Sequence, residues 1–353
     1  MNRFFKKTLV VWIVIWLIID AIIIAYIYFG DEEGNSIISA ETLEIYIGNE
    51  FISSLNEKGF ELLPVNENET TLFMYTRGLG KVWMKRVITE TLGEAGILPE
   101  FDLKNKNGEF EAVIKYGKGE DYLIRFKETD DISSGLIAIL IDDFGYFWDD
   151  RVDELLRMPI PLGIAIIPGH EHSTRIAKSA VSRGKEVILH LPMEPYDYRG
   201  GEEEYIIMSG MTESEISERI SRALISVPGA VGLNNHQGSK VTSEVKIIQR
   251  FLAVIRPYDL YFIDSATHAS SVGYSEALKI GIPAAKRSVF LDDSEDLMTV
   301  EQRIHELKKV AQRRGSAIGI GHINDETISV LKREIPSMIE EGFKFVYPSQ
   351  LTN

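Results

Sequence analysis

Residues Leu136 to Gly145, LIAILIDDFG, form an unbroken apolar run that stops on two adjacent carboxylates and a glycine. A strand buried on both faces reads this way in a parallel sheet, where helices cover both sides. The run therefore constrains the chain to an α/β fold that delivers acids at the carboxyl end of a central strand. An isolated acid pair also suits a helix cap or a solvated turn. Later apolar runs, however, end on ionisable groups too: VILH at His190, GLNNH at His236, YFID at Asp264 and AIGIGH at His322. Strands that discharge Asp or His at one end of a sheet point to one shared site.

From residue 135 onward the pattern alternates. Apolar runs at 161–167, 185–190, 230–235, 260–264, 289–291, 316–321 and 343–347 read as strands. Between them lie helical stretches at 173–183, 213–226 and 244–255, one opened by Thr299 and ended by Gly315, and one before Phe343. Gly184 suits the left-handed end of a helix, and Thr212 with Glu215 makes a capping box. Such alternation implies a parallel sheet, open or closed into a barrel, with ligands beyond the carboxyl ends of its strands.

The chain before this domain has three parts. Arg3, Lys6 and Lys7 precede an apolar segment from Thr8 to Phe29, and Asp31, Glu32 and Glu33 follow it. The segment is long enough to cross a hydrocarbon core of about 30 Å. Its flanking charges predict a cytoplasmic N-terminus, with the remainder outside the cell membrane. Residues 1–30 are therefore expected to be a signal-anchor and 31–36 a linker. Residues 37–128 are expected to form a small α+β domain. Leu43, Ile47, Phe51 and Leu55 mark an apolar helical stripe, 70–76 a strand and 81–95 a helix, and 109–116 with 121–126 a hairpin.

Net charge is −15, which argues against a nucleic-acid partner because phosphate binding needs a basic face. With no cysteine, any metal must be held by His, Asp or Glu. All 7 histidines follow residue 169. A borderline divalent ion such as Zn²⁺ takes imidazole nitrogens and one carboxylate, a set that Asp143, His190 and His236 can supply. Asp142 is then placed to take a proton from the attacking water, and His322 to donate one to a leaving group. Asn234, Asn235 and Asp264 are the expected substrate contacts. These are the parts of metal-assisted hydrolysis of an acyl bond.

The runs LIAILIDDFGY, HLPMEP, VGLNNHQGS, FIDS, VFLDD and AIGIGH, in that order over about residues 135–349, resemble the divergent polysaccharide deacetylase family. That family is a remote branch of the NodB-like carbohydrate esterase superfamily. The resemblance implies a distorted (β/α) barrel, here spanning 135–353, and a divalent metal, Zn or alternatively Mn, Co or Ni. It also implies removal of acetyl groups from a glycan. It matches Asp142 with the catalytic base, Asp143 with the metal-binding aspartate, His190 with the first metal histidine and His322 with the histidine that assists the leaving group.

Two departures stand out. Glu194 occupies the position of the superfamily's second ligand histidine, so either Glu194 or His236 is expected to complete the metal site. Ala266 stands where the family generally has an arginine. The reading is thus a membrane-anchored, metal-dependent polysaccharide deacetylase of the cell envelope. The alternative is a non-catalytic glycan-binding or envelope-assembly protein with a degenerate site. A glycoside hydrolase using Asp142 and a second carboxylate is a third reading.

Overall fold

The computed structural model describes residues 60–63, 70–76, 81–93, 100–106, 109–116, 120–129, 134–201, 204–292 and 299–353. The expected anchor, the linker and the stripe from Leu43 to Leu55 lie outside the described residues. Among the described residues no helix is long and apolar enough to cross a membrane.

Ahead of residue 130, a five-stranded sheet has the order β1 (Phe60–Leu63), β2 (Thr70–Thr76), β5 (Glu120–Thr129), β4 (Glu109–Tyr116), β3 (Glu100–Lys106). The β2–β5 pair is parallel and the others are antiparallel, with β4 and β5 forming the expected hairpin. Strands β1 and β3 were not legible in the sequence; β3, EFDLKNK, has too few apolar residues to mark a face. Helix α1 (Lys81–Gly93) lies against a 3-10 turn at Pro348–Leu351, with Val87, Ile88 and Leu92 buried.

The second sheet has nine strands, all parallel, and is built around β6 (Gly135–Phe144). On one side β6 pairs with β13 (Ser316–His322); on the other, β14 (Phe343–Phe345) covers its beginning and β7 (Gly163–Ile166) its end. The order continues through β8 (Glu186–Met193), β9 (Ala230–Gln237) and β10 (Tyr261–Asp264) to β11 (Ala284–Lys286). Beyond β13 lies β12 (Val289–Phe290). No ladder joins β11 to β12 among the described residues, so the barrel is an open, curled one. Residues Leu136 to Ile141 are all buried, so both faces of β6 are covered. That double burial is why β6 carries apolar residues without alternation.

Helices form where caps and apolar stripes coincide. Helix α2 (Asp150–Arg157) is started by Asp149, whose carboxylate accepts from the Arg151 N–H. Helix α3 is Ser173–Ser182, with Gly184 at φ 67° just beyond it. The Thr212–Glu215 box caps α4 (Glu213–Ser226). Short helix α5 (Ser239–Ser243) follows, then α6 (Val245–Ile255) and α7 (Gly273–Lys279). Thr299 and Gln302 make a second box on α8 (Val300–Arg314), closed by Gly315 at φ 85°. Helix α9 is Asp325–Glu340.

Gly232 of β9 sits opposite Tyr261 of β10, and the Tyr261 ring covers it. A Cβ at Gly232 would fall 2.2 Å from Tyr261 Cζ. Gly232→Ala is therefore expected to destabilise the fold by about 1–3 kcal/mol through overpacking, read as a lower urea midpoint. An unchanged midpoint would show that the ring moves aside freely.

Candidate metal centre

The carboxyl end of β6 supplies the acids. In a regular strand Asp142 and Asp143 would face opposite sides of the sheet. Asp143 instead adopts φ 60°, and the ladder to β7 slips between Ile141 and Phe144. Both carboxylates consequently turn to one centre. Strand β8 brings His190, which is 2% exposed; β9 brings His236 and β13 brings His322. Parallel pairing aligns these ends, with His322 beside Asp142 and Asn234 beside His190.

Asp143 Oδ1 lies 3.2 Å from His190 Nε2 and 3.0 Å from His236 Nδ1, and those two nitrogens are 3.1 Å apart. Asp142 and Asp143 each approach His322 Nε2 to 3.8 Å. Asp142 Oδ2 is 3.8 Å from His190 Nε2. Donor atoms of Asp143, His190 and His236 all fall within 4.8 Å of one another. One carboxylate oxygen and two imidazole nitrogens converging on one point form a donor set that suits a divalent cation. Asp142 Oδ1 is buried beside them with no hydrogen-bond partner.

Environment separates the two acids. Burial pushes the Asp142 carboxyl well above the usual carboxylate range, with the Asp143 and Asp292 charges adding to the shift against the pull of His322. Burial acts the same way on Asp143, but the His190 and His236 imidazoles outweigh it and hold that carboxyl far below its usual range. Burial likewise lowers His190 to about 4, despite Asp143. His322 is opposed by burial, yet Asp292, Asp142 and Asp143 raise it to about 9.

Asp292, the first acid of VFLDD, is a neighbour of the centre that the sequence left without a role. Its Oδ1 lies 3.0 Å from His322 Nδ1, and its Oδ2 accepts from the His322 N–H at 2.8 Å. The same oxygen accepts from Asn324 Nδ2 and Thr327 Oγ1. Three of these contacts hold the Asp292 carboxylate in place, and the fourth, to Nδ1, orients the His322 ring with Nε2 turned to the acid pair. The available signal was one more apolar run ending in an acid.

The other expected site residues do not enter the donor cluster. Glu194 is 8% exposed and is held by Lys240 Nζ at 2.6 Å and by the Ser209 N–H at 2.6 Å. It stands outside the donor cluster, which His236 completes. Asn234, Asn235 and Asp264 are 0% exposed, so a glycan cannot reach them as expected. Asn234 Nδ2 donates to the Ile263 carbonyl, and Asn235 Oδ1 accepts from the Ser265 N–H, tying β9 to β10. Asp264 accepts from the Ala266 and Tyr274 N–H groups and from the Ser271 hydroxyl, shaping its own loop. The arginine lacking at Ala266 has a local counterpart: Arg287 Nε donates to the Ser265 carbonyl at 2.6 Å and its Nη2 to the Ala266 carbonyl at 3.0 Å. Tyr146 and Tyr196 are exposed on loops that follow β6 and β8.

Fold and site together define an α/β protein with a curled parallel sheet and an acid–histidine centre at its carboxyl ends. The chain belongs to the divergent polysaccharide deacetylase family, whose model matches residues 139–352. It is 36% identical over 204 residues to the uncharacterized protein YibQ of Escherichia coli (strain K12), a match covering 58% of this chain and 63% of that one. It is 31% identical over 205 residues to an uncharacterized protein of Haemophilus influenzae, covering 58% and 72% respectively. The chain thus matches less than two thirds of the length of the Escherichia coli relative. The crystal structure of the uncharacterized protein ATU2773 from Agrobacterium tumefaciens C58 is similar, with TM-score 0.57 and 22% identity, covering 62% of this chain and 89% of that one.

Proposed function

We propose that this chain is a metal-dependent hydrolase that removes acetyl groups from a polysaccharide of the cell envelope, held at the membrane by its N-terminal segment. The observation that carries the reading is the convergence of Asp143 Oδ1, His190 Nε2 and His236 Nδ1, with Asp142 and His322 beside them. Family membership supports the acetylated glycan as substrate class.

Asp143, His190 and His236 would hold a divalent ion, zinc by the nitrogen-rich donor set. Bound there, the ion supplies Lewis-acid polarisation and makes water acidic enough to react near neutral pH. Asp142, whose proton affinity burial raises, takes the proton from the attacking water in its ionised form. Oxygen bonds to the acyl carbon as the bond to the sugar nitrogen or oxygen breaks. His322, kept protonated by Asp292, gives its Nε2 proton to that leaving atom. The products are acetate and a free amine or hydroxyl on the glycan.

Acetate release from acetylated glycans, followed with metal content, tests the reading. Wild-type protein is expected to carry about one divalent ion, to lose acetate release on chelation and to recover it with zinc. Asp143→Ala is expected to lose both metal and activity. Glycan binding that ignores chelator, with no acetate released, would instead establish the non-catalytic glycan-binding alternative. New reducing ends would indicate a glycosidase.

A further inference from the structure

Besides the aspartate oxygens, His190 Nδ1 and Asn234 Oδ1 are buried at the centre without a hydrogen-bond partner. They belong to neighbours. His190 and Asn234 are paired in the parallel ladder between β8 and β9, and residues so paired project from the same face of a sheet. His190 turns Nε2 toward Asp143 and His236, which leaves Nδ1 on the other edge of its ring.

The Asn234 amide is oriented by β10. Its Nδ2 donates to the Ile263 carbonyl at 2.9 Å and to Ser265 Oγ at 2.6 Å. The Ile263 carbonyl can only accept, so the amide cannot be turned over. Ser265 Oγ is fixed as the acceptor of that bond because its own hydrogen goes to the Asn235 carbonyl at 2.9 Å. Oδ1 is therefore the one acceptor that Asn234 has left.

We propose that Asn234 is a positioning residue for His190: its Oδ1 is bridged by one water to the Nδ1–H of His190, and so keeps Nε2 available to a divalent cation. The proposal rests on the metal-dependent reading above. An imidazole that ligates through Nε2 carries its proton on Nδ1, and a buried N–H without an acceptor is costly. Carbonyl oxygens commonly meet this need behind metal-bound histidines. Asn234 thereby acts through His190 and touches neither substrate nor cation.

Zinc affinity of the full-length chain, measured by competition with a chromogenic chelator, tests the assignment. Asn234→Leu is expected to weaken zinc binding about 10- to 100-fold. Asn234→Asp keeps an acceptor facing His190 but loses the donor to Ile263, and is expected to restore most of the affinity. A merely structural tie to β10 predicts no rescue, with Asp no better than Leu. Ser265→Ala, which removes a partner of Nδ2 and leaves Oδ1 in place, is expected to bind zinc nearly as wild type. In zinc-loaded wild type, the His190 Nδ1–H should give an imidazole NMR resonance protected from solvent exchange, so the idea stays testable even if Asn234→Leu fails to fold. Unchanged affinity in Asn234→Leu, no rescue by Asp, or no protected resonance would overturn it. Wild-type protein that binds no zinc would overturn the metal reading itself, and this inference with it.

Discussion

Asp142→Asn is expected to lower acetate release by about 10²- to 10⁴-fold, the range for loss of a positioned general base, while metal content stays at the wild-type level. The separation follows from geometry. Asp143 Oδ1 lies 3.2 Å from His190 Nε2 and 3.0 Å from His236 Nδ1, whereas Asp142 stays 3.8 Å from both His190 Nε2 and His322 Nε2. The same substitution should raise the thermal midpoint of the chelated protein at neutral pH. Asp142 has a buried oxygen without a partner and a folded-state acidity weakened by burial. A carboxyl whose pKa is raised on folding costs stability above its unfolded value, and that cost fades as pH falls through the folded value. An activity loss accompanied by metal loss would show that Asp142 is a ligand. A lowered midpoint would show that its carboxylate is stabilising after all.

His322→Gln is expected to cost a similar factor, about 10²- to 10⁴-fold, and to alter the pH profile in a way that Asp142→Asn does not. In the proposed mechanism activity requires the Nε2 proton of His322, which assigns the alkaline limb to this residue. Its acid-pair surroundings and Asp292 place that limb no higher than about 9; a bound cation opposes the charge on His322 and moves the limb lower. In His322→Gln the limb should vanish. Asp292→Asn removes the largest upward influence on the ring and should shift the limb to lower pH while retaining part of the rate. An alkaline limb that persists in His322→Gln would assign the proton to another group. In the metal-free protein the raised His322 value contributes stability that is full below about 6.5 and is lost as pH rises through about 9.

The residues that form the centre were legible because each ends an apolar run: Asp142 and Asp143 on β6, His190 on β8, His236 on β9 and His322 on β13. Parallel strands must align their carboxyl ends, so run endings alone brought these groups together. Which way a polar side chain faces was not legible. Asn234, Asn235 and Asp264 share the same sequence context as the histidines, yet they spend their hydrogen bonds on β10 and its loop. Glu194 stood at a metal-ligand spacing; its capture by Lys240 depends on where the short α5 begins, and no pattern in the sequence marked that helix. Asp292 escaped because its meaning lies in a pairing 30 residues away. In the fold, long amphipathic helices with capping boxes were read to within a residue or two. The eight-residue α2 and the seven-residue α7 were too short to show a period.

A single rotated peptide unit, at Asp143 with φ 60°, has a broader consequence. It makes two chemically identical neighbours non-interchangeable: one becomes a strong acid clasped by imidazoles, the other a weak one held out of water. Division of labour here is written in backbone handedness rather than in residue type. Transplanting this pair of aspartates onto an unbent strand would carry over the letters and leave the chemistry behind.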